Sequence, residues 1–176
     1  MVAKAFEGYP AWMQSRGLSA KVVNIRQNEL SPLSGIKSHN FLGYILARLH
    51  AKEDGFDEAI LKNTKGCIAE AATSNIFLVK RGRIITPDLS SGVLPGITRK
   101  TILQIAKRLR LNMKERPVTH KELMEADEVF LTNSLAEVLP VTKLDGKPIG
   151  IGRPGEITKL LHIAYQKEVI VRTLNI

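Results

Sequence analysis

The chain has 176 residues, 44% hydrophobic and 24% charged, close to ordinary globular usage, so neither disorder nor a fibrous repeat is suggested. A net charge of +9 raises the question of nucleic acid, but the lysines and arginines are spread along the chain, with no RNP-like aromatic motif or helix-turn-helix pattern. No apolar run reaches the ~20 residues of a membrane span, and the start lacks a signal-peptide core, giving a cytoplasmic expectation. The single cysteine, Cys67, excludes an intrachain disulfide framework and a zinc cluster.

Residues 1–19 carry Tyr9-Pro10 and Gly17 without periodicity and read as a linker-like segment. Residues 20–176 then form one domain. A strand is expected over 20–25, and a loop over 28–35 on Ser31-Pro32 and Ser34-Gly35. Ser38 is placed to cap a helix. Phe41, Leu42, Ile45, Leu46 and Leu49 recur at helical spacing and predict a helix whose apolar face meets the core, ending at Gly55. Short strands are expected over 58–61, 67–69, 76–79 and 84–86. After a loop over 87–96, Ile102, Ile105, Ala106 and Leu109 predict an amphipathic helix over 97–111. Thr119 and Glu122 have the spacing of a capping box. Strands over 128–131 and 138–142, a hairpin turn at Leu144-Asp145-Gly146-Lys147 and a last helix after Gly155 complete the chain. Strands and helices mix without strict alternation, so the fold class is α+β, with a mostly antiparallel, barrel-like core and flanking helices.

Three loops hold the candidate chemistry. Lys37 lies at the exit of the first. Gly96-Ile97-Thr98-Arg99 opens a helix, where free N–H groups and the helix dipole favour an anion. Thr132-Asn133-Ser134 gathers hydroxyl and amide donors at a strand end. Taken singly, each is as readily an ordinary turn, and Lys37 or Glu70 an ordinary surface charge. His39, His50, His120 and His162 have no metal spacing, and nucleotide-binding glycine patterns and a Gly-x-Ser-x-Gly elbow are absent.

Taken together and in order, these segments resemble the large, C-terminal domain of the fold-type IV pyridoxal-phosphate enzymes, the class IV aminotransferase family. The similarity runs through Leu30-Ser31-Pro32-Leu33-Ser34-Gly35-Ile36-Lys37-Ser38, Ala69-Glu70-Ala71-Ala72-Thr73-Ser74-Asn75, Leu94-Pro95-Gly96-Ile97-Thr98-Arg99, residues 126–134 and the hairpin over 144–150. The resemblance implies pyridoxal 5'-phosphate as cofactor and Lys37 as the catalytic lysine forming the internal aldimine. Glu70 would sit at the pyridine nitrogen, Ser74 and Asn75 beside it, and Leu94 against the ring. Gly96, Ile97, Thr98, Ser134 and Leu135 would hold the phosphate. It also implies a homodimer, a small-molecule amino-acid substrate, and no membrane or nucleic-acid partner.

Within the family the lysine segment and Thr132-Asn133-Ser134-Leu135 look closest to 4-amino-4-deoxychorismate lyases, which release pyruvate and 4-aminobenzoate for folate synthesis. Ala71, where many relatives have glycine, and Phe41, where branched-chain enzymes have tyrosine, weigh against a branched-chain assignment. A branched-chain or D-amino-acid aminotransferase is the first alternative. The small N-terminal domain of the family is expected to be missing, so a catalytically silent dimerising module is the alternative from another class.

Overall fold

The computed structural model describes residues 8–174, excepting the side chains of Arg172 and Leu174. A short helix, α1 (Ala11–Ser15), leads through Gly17 into strand β1 (Leu18–Gln27), which starts earlier and runs longer than the sequence suggests. Gly17 has a φ of +78°, and a side chain there would press on Thr142, so the chain can enter the sheet at this point only without one.

Helix α2 (Leu42–Glu53) is followed by β2 (Glu58–Asn63), β3 (Ile68–Ala71), β4 (Asn75–Lys80) and β5 (Arg83–Thr86). A single 3-10 turn over Leu89–Ser91 interrupts the next loop. Then come α3 (Ile97–Arg108), β6 (Met113–Glu115), α4 (His120–Met124), β7 (Glu128–Asn133), β8 (Glu137–Leu144), β9 (Lys147–Pro148) and α5 (Glu156–Leu174).

The strands form one nine-stranded sheet in the order β3-β2-β1-β8-β7-β4-β5-β6, with β9 paired to β8. Five of the eight strand pairs are antiparallel. The parallel ones are β1 with β2, β1 with β8 and β5 with β6. Leu18, Ile60, Ile68, Ile76, Ile85, Leu131 and Val141, drawn from seven strands, share one buried cluster, which requires the sheet to curl around it. On the outer face, α3 and α5 cover Phe77, Val79, Phe130 and Val138, with Phe77 and Phe130 stacked at 4.9 Å between ring centroids. A second outer cluster holds α2 against Val23, Ala59 and Leu61. The arrangement is α+β, as the sequence indicates.

Helix α2 faces the opposite way from expectation. Its buried residues are Ala47 and Ala51, while Leu42 is 64% exposed and Phe41, Ile45, Leu46 and Leu49 are all exposed. Small side chains let the helix lie close to β1 and β2. Apolar periodicity finds a face but not what the face meets. Nor does Ser38 cap α2: the N-cap is Phe41, without a side-chain bond, and Ser38 Oγ accepts from Asn40 N–H at 3.2 Å. The C-terminus does end at Gly55, whose φ is +82°. Gly55 N–H donates to Lys52 O and Phe56 N–H to Ala51 O, the paired bonds of a Schellman motif.

Other local signals hold. Thr119 and Glu122 make both bonds of the capping box at α4. Asp145 and Gly146 both have positive φ, as a tight two-residue hairpin needs. The N-terminus of α5 is capped from across the fold, where Glu128 accepts from the N–H groups of Ile157 and Thr158.

Candidate active site

Glu70 leaves β3 into the interior, 6% exposed. Its Oε1 accepts from the Tyr44 hydroxyl at 2.8 Å. Its Oε2 accepts from Leu94 N–H at 3.0 Å and from Asn75 Nδ2 at 3.2 Å. Burial is the largest influence and pushes the carboxyl up to about 7. The bonds from Leu94 and Tyr44, then the charges of Lys37 and Arg99, pull the other way. This carboxyl is therefore poised near neutrality, with no ion-pair partner within salt-bridge distance among the described residues.

Asn75 opens β4 and joins the carboxylate to the next loop, because its Nδ2 also donates to Leu94 O at 2.8 Å. A Cβ on Gly96 would overlap Asn75 Oδ1, so only glycine lets the start of α3 approach this closely. Gly96 is the N-cap of α3, without a side-chain bond, and its carbonyl accepts from Lys100 N–H at 2.9 Å. The first N–H groups of any helix lack partners inside it, and here they belong to Ile97, Thr98 and Arg99. Ile97 is 72% exposed. Thr98 is buried, its Oγ1 lying 3.5 Å from the Tyr165 hydroxyl.

The strand-end loop after β7 meets the same place. Asn75 pairs directly with Thr132, so their side chains share a face of the sheet. Asn133 Nδ2 donates to Ser74 Oγ at 2.9 Å and to Thr73 O at 3.3 Å. Asn133 Oδ1 accepts from the N–H groups of Leu135 and Ala136, the first at 2.9 Å. The Leu135 N–H is thus already donated within its own loop, while Ser134 is exposed at the tip.

Lys37 stands on the loop between β1 and α2. That loop is tied down on one side by Glu29, which accepts from Thr64 N–H at 3.0 Å and Thr64 Oγ1 at 2.7 Å. Gly92 packs against Glu29, and Gly35 lies against Pro95 and Val93, so the lysine loop and the Leu94-Pro95-Gly96 loop are in contact. Lys37 itself is exposed, its Nζ 5.9 Å from the centre of the Phe41 ring. Its charge is felt at Glu70, but no hydrogen bond joins them.

Two polar atoms in this region are buried with no hydrogen-bond partner among the described residues, Thr132 Oγ1 and Arg99 Nε. Arg99 is otherwise held by Pro87 O at 2.9 Å and Glu115 Oε2 at 2.6 Å. Thr132 Oγ1 faces the side of the sheet on which Asn75 meets Gly96. The sequence does not point to Tyr44, which the structure places against Glu70. Tyr44, Ala47 and Ala51, at i, i+3 and i+7, mark the true buried face of α2. That small-residue stripe was the available signal.

Residues 1–144 match the amino-transferase class IV family. A probable branched-chain-amino-acid aminotransferase of Aquifex aeolicus is 41% identical over 154 residues, covering 86% of this chain and 50% of the relative. A D-alanine aminotransferase of Bacillus licheniformis is 41% identical over 138 residues, covering 78% and 48%. Among solved structures, a branched-chain amino acid aminotransferase of Thermobaculum terrenum in its pyridoxal-phosphate form superposes with a TM-score of 0.87 at 34% identity, covering 94% of this chain and 55% of that one. The chain thus spans about half the length of the relatives it matches. Branched-chain aminotransferases are among the most similar relatives despite Ala71 and Phe41, which weigh against that assignment in the sequence. With fold, loop order and sequence in agreement, the chain belongs to the amino-transferase class IV family.

Proposed function

We propose that this chain is the cofactor-binding portion of a pyridoxal-phosphate-dependent aminotransferase acting on a branched-chain or D-amino acid. The observation that carries the reading is Glu70, a buried carboxylate with no cation in salt-bridge contact among the described residues, joined through Asn75 and Leu94 to the start of α3. The residues present fit such a cofactor. Oxygens of a carboxylate accept about two hydrogen bonds each, so Glu70 Oε1, with one donor, keeps a place for a ring N–H. Gly96 allows close approach, and the buried Thr132 hydroxyl lacks a partner among the described residues.

Bound there, the cofactor supplies an electron sink for the substrate carbon that loses its proton. Glu70 would keep the ring nitrogen protonated. The N–H groups of Ile97 and Thr98, with Gly96 giving access, would bind the phosphate, helped by the helix dipole and by Ser134. Leu135 would contribute only if Asn133 Oδ1 released its N–H, and Leu94 would pack on the ring. The exposed amine of Lys37 would hold the aldehyde carbon covalently and carry the proton between substrate atoms. Ser74 and Asn75 would orient the carboxylate and the phosphate loop.

Relatives named as aminotransferases of branched-chain amino acids and of D-alanine support this activity over the lyase reading and its link to folate. We further propose residues 20–176 as the cofactor-binding domain, with 1–19 leading into it, although β1 begins at Leu18 within that leading segment. A homodimer is proposed in which the apolar outer face of α2 is covered.

The test is absorption of the purified chain with added pyridoxal phosphate, before and after borohydride, beside Lys37→Ala. A visible band that borohydride fixes on Lys37 in the wild type alone, located by peptide mass, is expected. Equal labelling of the variant, or label on another lysine, would overturn the assignment. Formation of keto acid from L-leucine or D-alanine with 2-oxoglutarate then separates the two substrate classes, and release of pyruvate with 4-aminobenzoate would restore the lyase.

A further inference from the structure

The Tyr44 hydroxyl is the only donor to Glu70 Oε1 among the described residues, at 2.8 Å, while Oε2 already accepts two hydrogen bonds. A carboxylate oxygen takes about two donors. Oε2 is therefore filled, and Oε1 has one place left. The Tyr44 ring sits on the buried side of α2 with Ala47 and Ala51, and the Gln27 side chain, whose Nε2 donates to Gly92 O at 3.1 Å, also acts on its hydroxyl. The phenol is thus fixed between β1 and β3. We infer that Tyr44 is a positioning residue that holds Glu70 Oε1 so that its remaining lone pair is the acceptor for a heterocyclic N–H, and favours the ionised form of the buried carboxyl. The inference rests on the cofactor reading above for what the N–H belongs to, but not for the Tyr44–Glu70 coupling.

Two features make the coupling necessary. Glu70 is taken out of water by burial, which favours the protonated acid, and a protonated acid cannot sustain charge on a ring nitrogen. The cationic groups that oppose this, Lys37 on the loop and Arg99 on α3, act at a distance, and Arg99 is spent on Glu115 and Pro87 O. Leu94 N–H and Asn75 stabilise the other oxygen. The Tyr44 phenol is pushed upward by its own burial and then by Glu70, so in the pair the phenol keeps its proton and the carboxylate receives the hydrogen bond.

The coupling is read in the cofactor-free protein, from the Glu70 carboxyl signal in carbon-13 NMR, assigned by its loss in Glu70→Gln. In Tyr44→Phe the midpoint is expected to rise by about one to two units, the effect of losing a hydrogen bond to a charged group. Replacement of the three tyrosines by 3-fluorotyrosine keeps the shape and strengthens the phenol as a donor, so the midpoint is expected to fall. A midpoint unmoved in folded Tyr44→Phe, or unmoved by fluorination, would overturn the inference. With nitrogen-15-labelled pyridoxal phosphate added, the ring-nitrogen shift in the wild type is expected to be that of the protonated ring and in Tyr44→Phe to move toward the neutral one. Absence of bound cofactor in the wild type would refute the cofactor reading while leaving the midpoints to decide the coupling.

Discussion

A buried acid with a raised proton affinity leaves a signature in stability. Glu70 takes up its proton at about 7 in the folded protein and near the ordinary value of 4.5 when unfolded. Between those values the native state binds more protons than the unfolded one, so stability falls as pH rises through this window, and the loss is complete above it. The difference corresponds to about 3 kcal/mol. Urea denaturation of wild type and Glu70→Gln at pH 5 and pH 8 should therefore show wild type losing ground to the variant at the higher pH. A constant gap across the window would mean that Glu70 is ionised throughout. The meeting of Glu70, Asn75 and the Leu94-Pro95-Gly96 loop was legible in the sequence because those segments resemble, in order, the segments of one family. The contact of Tyr44 with Glu70 was not, since the small-residue stripe that sets the rotation of α2 is masked by the larger Leu42, Ile45 and Leu49 stripe. Nor could the Asn133 bond to Leu135 N–H be foreseen, because nothing local decides whether a loop amide turns inward or toward a ligand.

Two helix ends and the face of α3 were readable, and the face of α2 was not. The Thr119–Glu122 box and the Gly55 terminus follow from chemistry within a few residues, so sequence suffices. The Leu42, Ile45 and Leu49 stripe has the right period and the wrong partner, because this domain places alanines against the sheet and leaves the larger residues outside. Helix α3 ends three residues before its predicted limit, in a Schellman motif whose left-handed position is Arg110, with φ at +55°. An L side chain there costs about 1 kcal/mol. Arg110→Gly is expected to raise the thermal midpoint by about 2–4 °C, measured by calorimetry. A lower midpoint would show that the arginine side chain contributes more than the backbone relief.

At the scale of the whole molecule, the fold class was legible from the mixture of short strands and helices. The three parallel pairings and the short edge strand Met113–Glu115 were not, because pairing across the chain has no local marker. Phe41, Leu42, Ile45, Leu46 and Leu49 lie exposed on or beside one helix, a contiguous apolar surface of the kind that partners cover. Sedimentation should give twice the 19.5 kDa of the chain, and Leu46→Lys with Leu49→Lys should return it to the single mass. A wild type that sediments as a monomer at every concentration would refute the dimer.

Strand β1, an early strand of the sheet, lies between β2 and β8, with Leu18 opposite Val141. On a ribosome adding about 5–20 residues per second, the ~120 residues between them take about 6–24 s to appear. One edge of β1 can close promptly against β2, but the other stays open for that whole interval, presenting backbone donors and acceptors to any neighbouring chain. The nascent protein is consequently most exposed to mispairing before its eighth strand emerges, and its yield in a cell should depend on what shields that edge in the meantime.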